Sequence, residues 1–115
     1  MGAGRDLFER WRDRGVPTSA SAAEVERVLE ECLASYYRAG KGSHVFVVQH
    51  PWLVNIPRLR GGLVTIYLRK GTVPSEALKN LVFAIRCVDE LRQRGWPKDR
   101  GVPTELGEAL EREFG

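Results

Sequence analysis

Long apolar runs are missing from this sequence. Stretches such as Val45–Val48 extend for only a few residues, well short of the roughly 20 that a membrane-spanning helix needs, so no such helix is expected. The first residues, Met1–Asp6, have none of the apolar character of a secretory leader. Cysteine is scarce, with only Cys32 and Cys87. With no leader, the expected setting is the cytoplasm with both thiols reduced. There is no Cys/His group with zinc spacing, no phosphate-binding glycine loop and no dinucleotide fingerprint after a strand. Neither a metal nor a cofactor is therefore expected.

A more local absence concerns carboxylates. From Cys32 to Ser75 there is no Asp or Glu. The same window holds Arg38, Lys41, Arg58, Arg60, Arg69, Lys70 and both histidines, for a net charge of +6. The other 12 basic and 15 acidic residues lie in the flanks and bring the whole chain to +3. A basic centre between acidic flanks fits an anionic partner, most simply a nucleic-acid backbone. The competing reading is that strands carry few carboxylates whatever they bind.

What is present is an ordinary globular balance, 43% hydrophobic and 29% charged over 115 residues, enough for one domain that buries roughly 65% of its unfolded surface. Arg5 to Arg14 reads as a short helix with Leu7, Phe8 and Trp11 on one side, stopped by Gly15 with Pro17 beyond. Ser21 and Glu24 have capping-box spacing. The helix after them carries Val25, Val28, Leu29, Cys32, Leu33, Tyr36 and Tyr37 on one stripe, which predicts a helix running to Gly40 with both tyrosines in the core. Cys32 on that stripe, and Cys87 beside the next, read as small hydrophobes.

Three strands are expected next. The first, His44 to Gln49, has continuous apolar residues and so lies centrally or is covered on both faces. The second, Trp52 to Leu59, is broken by Pro57 and belongs at an edge. After the hairpin signal Gly61-Gly62, the third turns Val64, Ile66 and Leu68 one way and Thr65, Tyr67 and Arg69 the other. Pro74 suits the first turn of a second long helix with the stripe Leu78, Leu81, Val82, Ile85, Val88 and Leu91, ending near Gly95. A final helix runs from about Thr104 to Phe114. The hexapeptide Asp-Arg-Gly-Val-Pro-Thr occurs at Asp13–Thr18 and again at Asp99–Thr104, each time ahead of a helix, which reads as one helix-start turn used twice.

The fold class is thus α+β. It has an α-β-β-β-α order, a small antiparallel three-stranded sheet and two helices on one face, the layout of double-stranded-RNA-binding domains. Short helices are added at each end. The expected organisation is an N-terminal helical extension and linker (1–20), the α-β-β-β-α domain (21–95) and a C-terminal helical extension (96–115).

The sharpest local feature is Lys41-Gly42-Ser43-His44 at the start of the first strand. A histidine behind a permissive glycine and a small hydroxyl residue can reach a bound backbone and exchange a proton near neutral pH. A surface or capping role is the plainer alternative. His50, six residues on, would share a strand face with His44, Phe46 and Val48.

The run Tyr37-Arg-Ala-Gly-Lys-Gly-Ser-His-Val-Phe after an amphipathic helix resembles the HicA toxins of bacterial and archaeal toxin–antitoxin pairs. The likeness continues through Val64-Thr-Ile-Tyr-Leu, the loop Lys70-Gly-Thr-Val-Pro and the helix beginning Ser75-Glu-Ala-Leu-Lys-Asn-Leu. It covers about Ala22 to Gln93. The resemblance implies a double-stranded-RNA-binding-like fold, ribonuclease activity on messenger RNA with a single essential histidine, and a HicB-like antitoxin protein as partner. By it, His44 is the catalytic residue, Gly42 and Ser43 shape the start of the strand, and Lys41 contacts phosphate. The chain departs from the pattern in its terminal helices, its longer hairpin at Trp52–Gly62 and one extra residue between His44 and His50-Pro51.

Further RNA contacts are expected at Arg58, Arg60, Arg69, Lys70 and Lys79, each with a solvated surface charge as its alternative. Trp52, Leu53, Val54 and Ile56 are either a platform for bases or a partner, or packing beneath the terminal helices. Tyr67 reads as an aromatic at the edge of the core, with base stacking as the alternative. The two functions that follow are a metal-independent, HicA-like ribonuclease served by His44 and a non-catalytic RNA- or protein-binding module of the same fold. A structural component of a larger assembly is a third.

Overall fold

In the computed structural model, which describes residues 2–34, 36–39 and 45–115 (backbone only at 38, 39 and 60), the capping box at Ser21 is formed. Its hydroxyl accepts from the Glu24 amide at 3.1 Å, and the Glu24 carboxylate accepts from the Ser21 amide at 3.0 Å. This box starts α2 (Ala22–Cys32) directly after a three-residue strand, β1 (Ser19–Ser21). Strand β5 (Thr72–Pro74) pairs with β1 in antiparallel register and starts α3 (Ser75–Gln93). The Ala22 amide donates to the Gly71 carbonyl and the Ser75 amide to the Thr18 carbonyl. The two long helices are therefore pinned together where they begin.

Helix α2 is shorter than its apolar stripe predicts. The amides of Leu33 and Ala34 both close back on the Leu29 carbonyl, and Ala34 turns into the left-handed region at φ 60°. That turn disfavours alanine by about 1–2 kcal/mol, and it is offset because the following residues enter a sheet. Tyr36–Ala39 form β2, so Tyr36 and Tyr37 are strand residues and not part of a helical stripe. Aromatic residues fit a pleated surface well.

The main sheet has order β2-β3-β4, with β3 at Val45–Gln49 and β4 at Leu63–Tyr67, all antiparallel. Strand β3 is central, as its continuous apolar run implies. Phe46, Val48, Val64 and Ile66 point into the core, while Val45, Val47, Leu63, Thr65 and Tyr67 point away from it. The inner face joins one continuous core with Val25, Val28 and Leu29 of α2 and Leu78, Leu81, Ile85 and Val88 of α3. The α+β class with a three-stranded sheet and packed helices is thus the observed architecture.

The expected second strand, Trp52–Leu59, does not form. Here the chain winds through successive three-residue turns: the amides of Leu53, Ile56, Leu59 and Gly62 donate to the carbonyls of His50, Leu53, Ile56 and Leu59. The first stretch of this path, Pro51–Leu53, is a 3₁₀ turn, whereas at Arg60–Gly62 the backbone turns left-handed through Gly61 (φ 67°). Leu53, Ile56 and Leu59 fall at the period of three that such winding repeats, and all are buried. The coil closes at Gly62 (φ 75°), where an added Cβ would lie 2.9 Å from the His50 carbonyl oxygen.

The terminal helices share the same core. Helix α1 (Ala3–Arg14) buries Phe8 and Trp11. It lies so close to α2 that a Cβ on Gly4 would collide with the Arg27 carbonyl. Its free N-terminal amides at Gly4 and Arg5 donate to the Glu31 carboxylate, each at 3.0 Å, which holds that carboxyl below its ordinary pKa. The Arg5 guanidinium grips Asp89 of α3 through two bonds, at 2.7 and 3.2 Å. Helix α4 (Thr104–Phe114) and the segment before it clasp the 50–62 coil. The Trp52 indole donates to the Pro97 carbonyl, the Asn55 amide side chain to the Val102 carbonyl and the Arg58 amide to Glu111.

That clasp settles the two readings of the apolar stretch. Trp52, Leu53 and Ile56 are buried beneath the C-terminal segment and form no platform; Val54 alone of the four is exposed. Cys32 and Cys87 are both buried free thiols, and burial pushes the Cys87 thiol up to about 12. The repeated hexapeptide is not one device. Its first copy ends α1 with Gly15 at φ 91° and leads to β1, whereas in the second Pro103 caps α4 and Thr104 begins it. Among the described residues no helix is long and apolar enough to cross a membrane.

Candidate nucleic-acid interface

The register of the sheet sorts the candidate residues into two ends. Ala39 pairs with Val45, and Val45 pairs with Tyr67. The chain therefore leaves β2 and enters β3 at the end of the sheet where β4 finishes. His44, Lys41, Gly42 and Ser43 belong to the intervening segment and lie outside the described residues. At this same end β4 runs on into a tight hairpin turn. Arg69 and Thr72 exchange backbone bonds of 2.7 and 3.0 Å across it, and the Thr72 hydroxyl adds a third to the Arg69 carbonyl. Lys70 (φ 53°) and Gly71 (φ 79°) occupy its two central positions, both left-handed, as a type I′ turn requires. The turn displays the exposed side chains of Arg69 and Lys70 beside the last residues of β4.

Gln49 pairs with Leu63 at the opposite end, where His50 follows β3. His50 does not continue the strand face of Phe46 and Val48, whose side chains enter the core. It caps the first 3₁₀ turn instead, with Nδ1 accepting from the Trp52 amide at 3.2 Å and its ring 5.0 Å from the Trp52 ring. This fixes the neutral tautomer with the proton on Nε2. Half-burial lowers its pKa below the ordinary value near 6.5, and the nearby Arg92 charge acts in the same direction. Strand β3 therefore separates His50 from the end of the sheet where Tyr67, Arg69 and Lys70 lie.

The remaining basic candidates do not join the sheet end. Arg58 lies with its guanidinium 4.8 Å from the Phe83 ring centre and lines a cleft of about 290 Å³ together with Lys79, Arg86 and Phe114. That cleft belongs to the helical side of the molecule. Arg60 sits at the beginning of the Arg60–Gly62 turn, before β4. The structure thus separates Arg69 and Lys70 from Arg58 and Lys79. Arg86, which sequence reasoning passed over, is the third cation of the helical cleft, and it follows Lys79 by two helical turns on α3.

The other missed feature is the outer face of the sheet. Tyr67 is 64% exposed, Tyr37 53% and Leu63 43%. Tyr67 is therefore not an aromatic at the edge of the core, and Tyr37 is not a core residue. Their partners across the strands are apolar or uncharged: Tyr37 pairs with Val47, which pairs with Thr65, and Tyr67 pairs with Val45. The alternation in Leu63–Tyr67 signalled the Tyr67 side, but nothing local marked Tyr37 once the helical stripe ran through it. Among the described residues no group of three or more His, Cys, Asp or Glu side chains is arranged to hold a metal ion.

Comparison with known proteins places no relative beside this geometry: no family model, curated protein or solved structure matches the chain.

Proposed function

We propose that this protein is a metal-independent ribonuclease acting on messenger RNA, as its resemblance to the HicA toxins implies, with His44 as the residue that moves a proton. The observation that carries the reading is the carboxylate-free sheet. All three strands fall between Cys32 and Ser75, and the Lys41–His44 segment joins β2 to β3 at the end where Tyr67, Arg69 and Lys70 are displayed. In the reaction the 2′-oxygen of one nucleotide attacks the neighbouring phosphorus and the 5′-oxygen leaves. His44 takes the proton from the attacking hydroxyl while water protonates the leaving oxygen, or donates to the leaving oxygen while water takes the hydroxyl proton, and Lys41, Arg69 and Lys70 offset the charge that builds on the phosphoryl oxygens. The requirement for a 2′-hydroxyl selects RNA over DNA. The implied protein partner is a HicB-like antitoxin and the implied compartment is the cytoplasm.

The exposed aromatic face supports a second reading, a module of the same fold that binds RNA without cutting it. Cleavage of a mixed RNA pool by wild type and His44→Ala, both in chelator, separates the two. The ribonuclease reading expects cleavage by wild type and a loss of at least about 100-fold in the variant. RNA binding without cleavage by either folded protein would replace it with the second reading. An equally active His44→Ala would remove His44 from the chemistry.

A further inference from the structure

Among the described residues, four large apolar side chains are exposed, and three of them, Tyr37, Leu63 and Tyr67, lie on the open face of one small sheet. We infer that this face is a stacking surface for the bases of single-stranded RNA, with Tyr37 and Tyr67 as its two rings. The inference rests on the RNA reading above and adds the class of substrate: unpaired, not duplex.

Three observations converge on it. The first is placement. Tyr37 lies on β2 and Tyr67 on β4, with β3 between them and a two-residue offset along the strands. Strand spacing and rise put the two about 12 Å apart on a diagonal, so each ring takes a different base of one strand. The second is charge. The segment that builds the sheet has no carboxylate to repel a phosphate backbone, and the exposed Arg69 and Lys70 follow Tyr67 at the rim. The third is size. The described strands, of four, five and five residues, give a face of about 16 by 10 Å, far below the roughly 800 Å² per partner of a stable protein interface. An area that small suits a few bases. A duplex is disfavoured because it offers only base edges and keeps its base faces stacked inside.

The test is fluorescence anisotropy with a labelled 12-nucleotide single-stranded RNA, its duplex and low-salt buffer, using His44→Ala as the parent so that the probe survives. Tyr37→Ala and Tyr67→Ala are each expected to weaken single-strand binding about tenfold, while Tyr67→Phe restores it because the ring and not the hydroxyl stacks. Val54→Ala, exposed on the 50–62 coil and not on a strand, leaves binding unchanged. Duplex binds more weakly than single strand in the parent. Both tyrosine variants binding as tightly as the parent would overturn the stacking surface while leaving the RNA reading in place. A folded parent that binds neither RNA would overturn both.

Discussion

Phe46 and Val47 are neighbours in β3 with opposite fates. Phe46 is buried beneath the helices together with Val48, Val64 and Ile66, and Val47 sits on the open side between Tyr37 and Thr65. The two faces are built from alternate residues of the same three strands, and what separates them most is cover. Helices α2 and α3 pack on the inner face, with α1 and α4 adding to the same core. The outer face is left with two tyrosines and no carboxylate. If RNA lies on the outer face, substitutions on the two should separate cleanly, inner ones costing stability and outer ones RNA binding.

The largest expected effect lies inside. Phe46→Ala should cost about 3–5 kcal/mol in denaturant unfolding, whereas Tyr67→Ala should stay within about 0.5 kcal/mol. Comparable losses at both positions would break the contrast between the faces. Gly107→Ala comes next. Its Cβ would run into the Asn55 carbonyl, so about 1–3 kcal/mol of stability should be lost through the clasp on the 50–62 coil. An unchanged midpoint would mean that the coil is not held as described.

Lys70→Asn sharpens the contrast in the other direction. Asparagine tolerates the left-handed conformation that lysine adopts at φ 53°, so stability should rise by up to about 1 kcal/mol while RNA affinity falls with the lost cation. A gain in both would take Lys70 out of the interface.

The smallest effect concerns His50. Its folded pKa lies below the ordinary value near 6.5 because of burial. The unfolded chain therefore takes up a proton first as pH falls through that value, and stability declines there until the folded pKa is passed. His50→Asn keeps an oxygen to accept the Trp52 amide and carries no titrating group. Its melting temperature should fall less between pH 7.5 and pH 5.5 than that of wild type. Equal falls would show that His50 contributes nothing to the acid limb.

Much of this architecture is written locally. The Ser21–Glu24 box and the apolar stripe of α3 follow from a cap and a 3.6-residue period, and α4 spans the range expected of it, Thr104–Phe114. Three features escaped for identifiable reasons. The β1–β5 pair is built from three-residue strands, too short to show a period. The α2 stripe continues by coincidence through Tyr36 and Tyr37, and the stop at Ala34 uses neither Gly nor Pro. Only pairing with β3, a tertiary event, decides for the strand. In 50–62 the apolar residues invite an edge strand, whereas the spacing of Leu53, Ile56 and Leu59 by three was the signal to read. The basic window was legible in the sequence, but the division of its cations between a sheet end and a helical cleft depends on Arg58 folding back onto Phe83, which no local pattern encodes.

The central claim is that the open, carboxylate-free face of the sheet is where RNA lies. The most direct measurement is photocrosslinking of a thiouridine-containing single-stranded RNA to the His44→Ala protein, with the crosslinked peptides read by mass spectrometry. The account predicts crosslinks in the peptides that carry Tyr37 and Tyr67. Crosslinks confined to α3 and α4, around Lys79, Arg86 and Phe114, would contradict it and move the interface to the helical side.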